Sequence, residues 1–232
     1  MDKEKIAALE KILDVVFKDK NKLVEAFVHR SYINEDKSPT LTHHNERLEF
    51  LGDAVLELVT TEFLYAKYPN KPEGELTAFR SALVNTDAIS AVSSELHFGD
   101  FLLMSKGEAK DTGKARHYIL ANNFEAVVGA IHLDQGYEAA RRFIEKNLLI
   151  KAENIIKSGA WKDAKSLMQE KAQEVLKVTP RYEVLHEAGP DHDKIFTVGL
   201  FLGQELVSEG TGKSKQEAEQ TAAKKELDRR GW

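Results

Sequence analysis

Through residues 3–157 the apolar positions recur mostly at three- and four-residue intervals, the period of helices packed on one face. Ile6, Leu9, Leu13, Val16 and Phe17 predict a first helix, and the run Asn21–Tyr32 predicts a second. A polar stretch around Asn34–His44, containing Pro39, follows. The longest periodic run spans Glu46 to about Tyr68 and stops at Pro69-Asn70-Lys71-Pro72, because proline lacks the N–H that would continue a helix. Further helices are predicted over Glu75–Ser94, Tyr118–Asp134 and Ala139–Lys157, with Lys106–Arg116 as an exposed loop. After Ser158-Gly159 the pattern changes. A helix over Asp163–Leu176 precedes three short strand-like runs, Arg181–Glu187, Lys194–Phe201 and Gln204–Ser208, and a last helix over Ser214–Arg229 follows Gly210-Thr211-Gly212. The expected fold class is an all-α domain followed by a small α+β domain of order α-β-β-β-α. The expected boundaries are 1–157, a linker at 158–162, and 163–232.

Composition narrows the functional classes. The 232 residues include no cysteine, which excludes a disulfide framework and any thiolate metal site. No apolar run approaches the roughly 20 residues of a membrane helix, and the charged, amphipathic N-terminus lacks the apolar centre of a signal peptide. The expectation is a soluble cytoplasmic protein with no membrane partner. Net charge is −5 overall; residues 162–232 carry 12 Lys and Arg against 13 Asp and Glu. Neither part is basic in bulk, so nucleic-acid binding has to rest on local clusters.

The most informative segment is His44–Leu58, HNERLEFLGDAVLEL. At about 100° per residue, Glu46, Glu49 and Asp53 fall within roughly 60° of one another, with Leu48, Leu51, Val55 and Leu58 opposite. Carboxylates crowded on one face repel unless water or a cation neutralises them, so the segment is either a solvated helix face or a cation site. Phe50 projects near the acidic side, where an aromatic requires cover from another element or subunit. On a second helix Asn122 and Glu125 lie one turn apart with Gly129 on the same face, while Phe124, Val127, Val128 and Ile131 point away. Two such helices facing each other would offer the oxygen ligands a hard cation such as Mg²⁺ prefers. Spacing alone leaves their facing open.

These residues carry a resemblance. HNERLEFLGDAVLEL resembles the signature of the ribonuclease III family and matches its NERLEFLGD core throughout. The likeness extends over Leu23–Tyr32, Glu73-Gly74-Glu75-Leu76 and Ile119–Gly136, and the C-terminal part resembles the double-stranded-RNA-binding domain of bacterial members. The resemblance implies a Mg²⁺-dependent, homodimeric endoribonuclease of double-stranded RNA, with Mn²⁺ able to substitute and no small-molecule cofactor. Such an enzyme would process ribosomal and messenger precursors, leaving 5′-phosphate and 3′-hydroxyl ends with short 3′ overhangs. By motif position Glu49, Asn122 and Glu125 are metal ligands, Asp53 and Glu125 catalytic, Glu46 and Glu73 accessory acids, and Phe50 a dimer contact. One departure stands out: Asn122 occupies a position where the family usually has Asp. An amide oxygen ligates Mg²⁺ without contributing charge, which leaves as an alternative a weakened or non-cleaving double-stranded-RNA binder.

In the C-terminal domain the resemblance places Gln169 and Gln173 against an RNA minor groove and His192 in a loop entering a neighbouring one. Lys213, Ser214 and Lys215 stand at the start of the last helix, where backbone N–H groups and the helix dipole favour phosphate. That three-point pattern suits shape-based reading of A-form RNA. Gln216 replaces a frequent family lysine, and Asp191 and Asp193 flank His192, which predicts modest, salt-sensitive affinity. His43, His44 and His117 are read as surface or loop histidines without a metal.

Overall fold

A computed structural model describes residues 1–35, 43–110, 112–157, 161, 163–190 and 194–232. The chain divides into two compact units, Met1–Trp161 and Lys162–Trp232. The first contains α1 (Lys3–Leu13), α2 (Lys20–Ala26), α3 (Arg30–Glu35), α4 (Glu46–Lys67), α5 (Glu73–Leu83), α6 (Thr86–Glu95), α7 (Lys114–Gln135), α8 (Tyr137–Asn147) and α9 (Ala152–Lys157). Among the described residues no helix is long and apolar enough to cross a membrane.

The helix α7 is the axis of this unit. Residues Ile119, Leu120, Ala121, Asn123, Phe124 and Ala126–Ile131 are all buried, so it is enclosed on nearly every side. Its neighbours α2, α4, α6 and α8 pack around it. The core is knit by aromatic rings: Phe27 meets Phe98 edge-on at 5.3 Å, and Phe124 lies 5.4 Å from Phe143. Trp161, expected in the linker, packs edge-on against Phe79 at 4.5 Å and donates its indole N–H to the Ile156 carbonyl.

Three predicted helices are each divided. The run Asn21–Tyr32 breaks at Phe27–His29, where Val28 and Leu103 form a parallel bridge; His29 N–H donates to the Leu103 carbonyl and Leu103 N–H to the Phe27 carbonyl. The run Glu75–Ser94 breaks at Asn85, whose side chain accepts from Ala88 N–H at 2.9 Å and caps α6. The run Ala139–Lys157 divides into α8, a 3₁₀ turn at Leu149–Lys151, and α9. Lys114–Arg116, expected in a loop, form the start of α7.

The second unit contains α10 (Ala164–Lys171), a π-helical turn (Ala172–Leu176), β1 (Pro180–Ala188), β2 (Ile195–Leu202), β3 (Glu205–Gly212) and α11 (Lys215–Arg230). Its sheet is antiparallel in the order β1-β2-β3. Met168, Ala172, Leu200, Ala222, Ala223 and Leu227 form the core. The third strand continues past Ser208, where the strand-like run was expected to end, through Gly210-Thr211-Gly212. A Cβ on Gly210 would lie 2.2 Å from the Ala218 carbonyl oxygen, so glycine here lets α11 rest directly on the strand. Asp163 caps α10 by accepting from Lys165 and Ser166 N–H, as its position predicts.

Candidate active site and RNA-binding face

The two acidic segments face each other because α4 and α7 cross on glycine. A Cβ on Gly52 would stand 1.8 Å from the Glu125 carbonyl oxygen; one on Gly129 would stand 2.2 Å from that of Leu48. Backbone therefore touches backbone at the level of the carboxylates. Gly129 is thus the close-approach residue that its position allowed, and Gly52, not singled out by spacing, is its counterpart. Sequence offered for it only a glycine, a poor helix former, inside a long helical run. The buried stripe of α4 runs through Leu48, Gly52, Val55, Leu56 and Val59; Leu58, expected on it, lies at its edge and is half exposed.

Above this crossing stand Glu49 and Asp53 from α4, and Asn122 and Glu125 from α7. Burial pushes the Glu125 carboxyl up to about 8, reinforced by the charges of Asp53 and then Glu49. Glu49 is also raised, first by burial and then by Glu46 and Asp53, while a hydrogen bond with Asn122 works against the rise. The geometry thus brings Glu49, Asp53, Asn122 and Glu125 into one interacting group. Among the described residues no three His, Cys, Asp or Glu side chains already converge in ligating geometry.

The accessory acids separate. Glu46 lies at the edge of the group, 3.5 Å from Arg30 and 3.8 Å from Nδ1 of His44. Glu73 opens α5 and accepts from the Thr77 hydroxyl at 2.9 Å. It lines a different cavity, about 430 Å³, with Tyr65, Lys71 and Arg80, and it is not among the charges raising Glu49 or Glu125. Phe50 is 83% exposed beside the acids, uncovered among the described residues.

In the second unit Gln169 lies on α10 and Gln173 in the π turn, both exposed. A cavity of about 540 Å³ is lined by Gln169, Lys165, Ser166, Tyr182, Lys215 and Gln216. Ser214 caps α11 by accepting from Glu217 N–H, while the Glu217 carboxylate accepts from Lys213 N–H at 2.7 Å. Glu187 lies 3.7 Å from Lys215 and 3.6 Å from Lys194, so acid already shares this basic edge. His192 lies outside the described residues.

One unit thus carries an acidic helix crossing and the other an α-β-β-β-α fold with a mixed-charge edge, and both parts have counterparts among known proteins. Residues 19–152 match the Ribonuclease-III-like family model, and residues 164–229 match the double-stranded RNA binding motif. The chain is 44% identical to ribonuclease 3 of Carboxydothermus hydrogenoformans, the match covering 98% of this chain and 97% of that one. Ribonuclease 3 of Protochlamydia amoebophila is also 44% identical, over 96% and 90% of the two chains. The nuclease domain of ribonuclease III from Campylobacter jejuni superimposes with a TM-score of 0.55 at 45% identity, covering 61% of this chain and 97% of that structure. This chain belongs to the ribonuclease III family.

Proposed function

We propose that this chain is a homodimeric, Mg²⁺-dependent endoribonuclease that cuts double-stranded RNA in structured ribosomal and messenger precursors in the cytoplasm. Its products would carry 5′-phosphate and 3′-hydroxyl ends with short 3′ overhangs. The observation that carries the reading is the close α4–α7 crossing on Gly52 and Gly129, at which Asp53 and Glu49 both act on the charge of Glu125 and Asn122 bonds to Glu49. The donor set fits a hard divalent cation: every candidate ligand atom is a side-chain oxygen, and the carboxyls raised by burial and mutual repulsion are those a cation would relieve. Mn²⁺ prefers the same ligands and would substitute.

In this reading Glu49, Asn122 and Glu125 hold the cation, and Asp53 and Glu125 act on the reacting groups. A divalent cation held there would supply charge stabilisation at the scissile phosphate and a more acidic bound water. The Glu125 carboxyl, raised by burial and by the charges of Asp53 and Glu49, is the group a bound cation would relieve most. Arg30, 3.5 Å away, pairs with Glu46 at the outer edge of the group. Glu73 keeps only the accessory place that its motif position implies, since in this chain it lines a separate cavity. The catalytic domain, expected over 1–157, takes in Trp161 through its packing on Phe79, and the RNA-binding domain is assigned to 163–232. Within the last, Gln169, Gln173, His192, Lys213, Ser214 and Lys215 meet the duplex. Exposed Phe50 supports pairing of two copies, and the Campylobacter jejuni nuclease domain has a region involved in dimer formation.

The test is cleavage of a long perfect RNA duplex in Mg²⁺ by the wild-type chain, Glu125→Gln and Asn122→Asp. Cutting by the wild type, lost in Glu125→Gln with duplex binding retained, is expected. A wild-type chain that binds without cutting, while Asn122→Asp cuts, establishes instead the non-cleaving binder. Sedimentation of a fully active stable monomer at micromolar concentration would remove the dimer and the role of Phe50.

A further inference from the structure

The helix predicted over Asn21–Tyr32 is interrupted at a point where three successive backbone carbonyls turn to three different parts of the first unit. The Ala26 carbonyl accepts from the side-chain amide of Asn123 on α7 at 2.8 Å. The Phe27 carbonyl accepts from Leu103 N–H at 2.8 Å, and the Val28 carbonyl from Asn45 N–H at 2.9 Å. Asn45 is buried and directly precedes α4; its own carbonyl accepts from Glu49 N–H at 2.8 Å. A continuous path of hydrogen bonds and three residues of backbone therefore runs from α7 to the first turn of α4. It starts between Asn122 and Glu125 on one helix and ends at Glu46 and Glu49 on the other.

Asn123 is a poor choice for this place on packing grounds alone. Its side chain is completely buried, and its Oδ1 has no hydrogen-bond partner among the described residues. An amide left half satisfied in the core is unfavourable compared with an apolar residue of similar size. The favourable contribution that remains is the single bond to Ala26, at the end of α2 where a helix leaves its carbonyls without partners.

We propose that Asn123 is a positioning residue of the metal centre, its amide fixing the Ala26–Val28 crossing to the turn of α7 that bears Asn122 and Glu125 and thereby setting where Glu46 and Glu49 stand. This rests on the two-helix metal centre proposed above. Asn123 touches neither cation nor RNA. It acts through the backbone of residues 26–28 and Asn45, and its removal loosens the register between the helices without removing a ligand.

The experiment compares the wild-type chain with Asn123→Leu, which fills the space without a donor, and Asn123→Ser, which restores a donor. The readouts are Mn²⁺ binding by electron paramagnetic resonance without RNA, the Mg²⁺ dependence of cleavage, duplex affinity without metal, and thermal stability. Asn123→Leu should melt within a few degrees of wild type and bind duplex equally well. It should bind Mn²⁺ about tenfold more weakly and need correspondingly more Mg²⁺, while Asn123→Ser returns to within about threefold of wild type. Should Asn123→Leu fail to fold, Asn123→Ala carries the same comparison. Wild-type Mn²⁺ and Mg²⁺ curves in a folded donorless variant overturn the proposal, as does a loss that merely follows the folded fraction. A wild-type chain whose Mn²⁺ binding is indifferent to Glu125→Gln overturns the metal centre itself, an outcome distinct from one in which only Asn123 proves idle.

Discussion

Replacing Gly52 by alanine sets two effects against each other. Within a helix, alanine is favoured over glycine by about 1 kcal/mol. Against that, the added Cβ would lie 1.8 Å from the Glu125 carbonyl oxygen, 2.6 Å from its carbon and 2.9 Å from Gly129 N. All three are backbone atoms, so no rotamer change relieves them. Reaching an ordinary 3.4 Å contact requires α4 and α7 to separate locally by about 1.6 Å. Overpacking of a rigid core costs roughly 1–3 kcal/mol, and this rigid contact belongs at or above the upper end. A gap of that size also forfeits much of the dispersion between the helices. The net expectation is a first unit less stable by about 2 kcal/mol, or roughly 4–8 °C in Tm. Trp161 packs on Phe79 within this unit and is one of only two tryptophans, so its fluorescence in a Trp232→Phe background reports the unit's unfolding. The same separation draws Glu49 and Asp53 away from Glu125, raising the Mg²⁺ needed for half-maximal cleavage. Gly74→Ala is the control: nothing lies within 4 Å of its added Cβ, so the propensity gain of up to about 1 kcal/mol should stand alone. A Gly52→Ala protein at least as stable as wild type, with an unchanged Mg²⁺ curve, would refute the steric reasoning.

The pH dependence has a definite sign. Glu125 ionises near 8 in the folded chain against an ordinary value of 4.5, so between those values the folded state holds a proton the unfolded state has lost. This group therefore lowers metal-free stability as pH rises from about 4.5 to 8, and denaturant titrations should show a flatter profile for Glu125→Gln across that window. Asn122→Asp should lower the Mg²⁺ concentration for half-maximal cleavage by roughly tenfold, about 1.4 kcal/mol, because a further carboxylate attracts the cation. Coincident Mg²⁺ titrations for the two forms would show that the amide serves as well as the acid. Removing Lys213 and Lys215 together should reduce the slope of log affinity against log salt by nearly 2, about 1 per phosphate contact. A slope unchanged in filter-binding titrations would take both lysines off the duplex; a drop of about 1 would fit Lys215 staying with Glu187, which lies 3.7 Å away.

Local periodicity was sufficient to determine the kind of element at most positions, because helix and strand faces repeat at 3.6 and 2 residues whatever lies opposite. It also determined that Glu46, Glu49 and Asp53 share a face, and that Asn122 and Glu125 share another, since these relations follow from spacing within one helix. Where a helix ends is a different matter when the cause is distant. The stretch through Phe27–His29 has helical spacing, yet its carbonyls find better partners in Asn123, Leu103 and Asn45, residues up to 97 positions away. The glycines follow the same division. Gly52 and Gly129 are ordinary poor helix formers in sequence, and only the crossing of α4 and α7 shows that any side chain there would strike backbone. Glu73 matches an acidic motif position as clearly as Glu49 does, but the fold turns it toward Tyr65 and Arg80, while Glu49 stands beside Asn122. Sequence determined the charges and donors available to this protein. Tertiary structure decided which stand within reach of one another and how far water is excluded around them, and on both depends the rise of Glu125 to about 8.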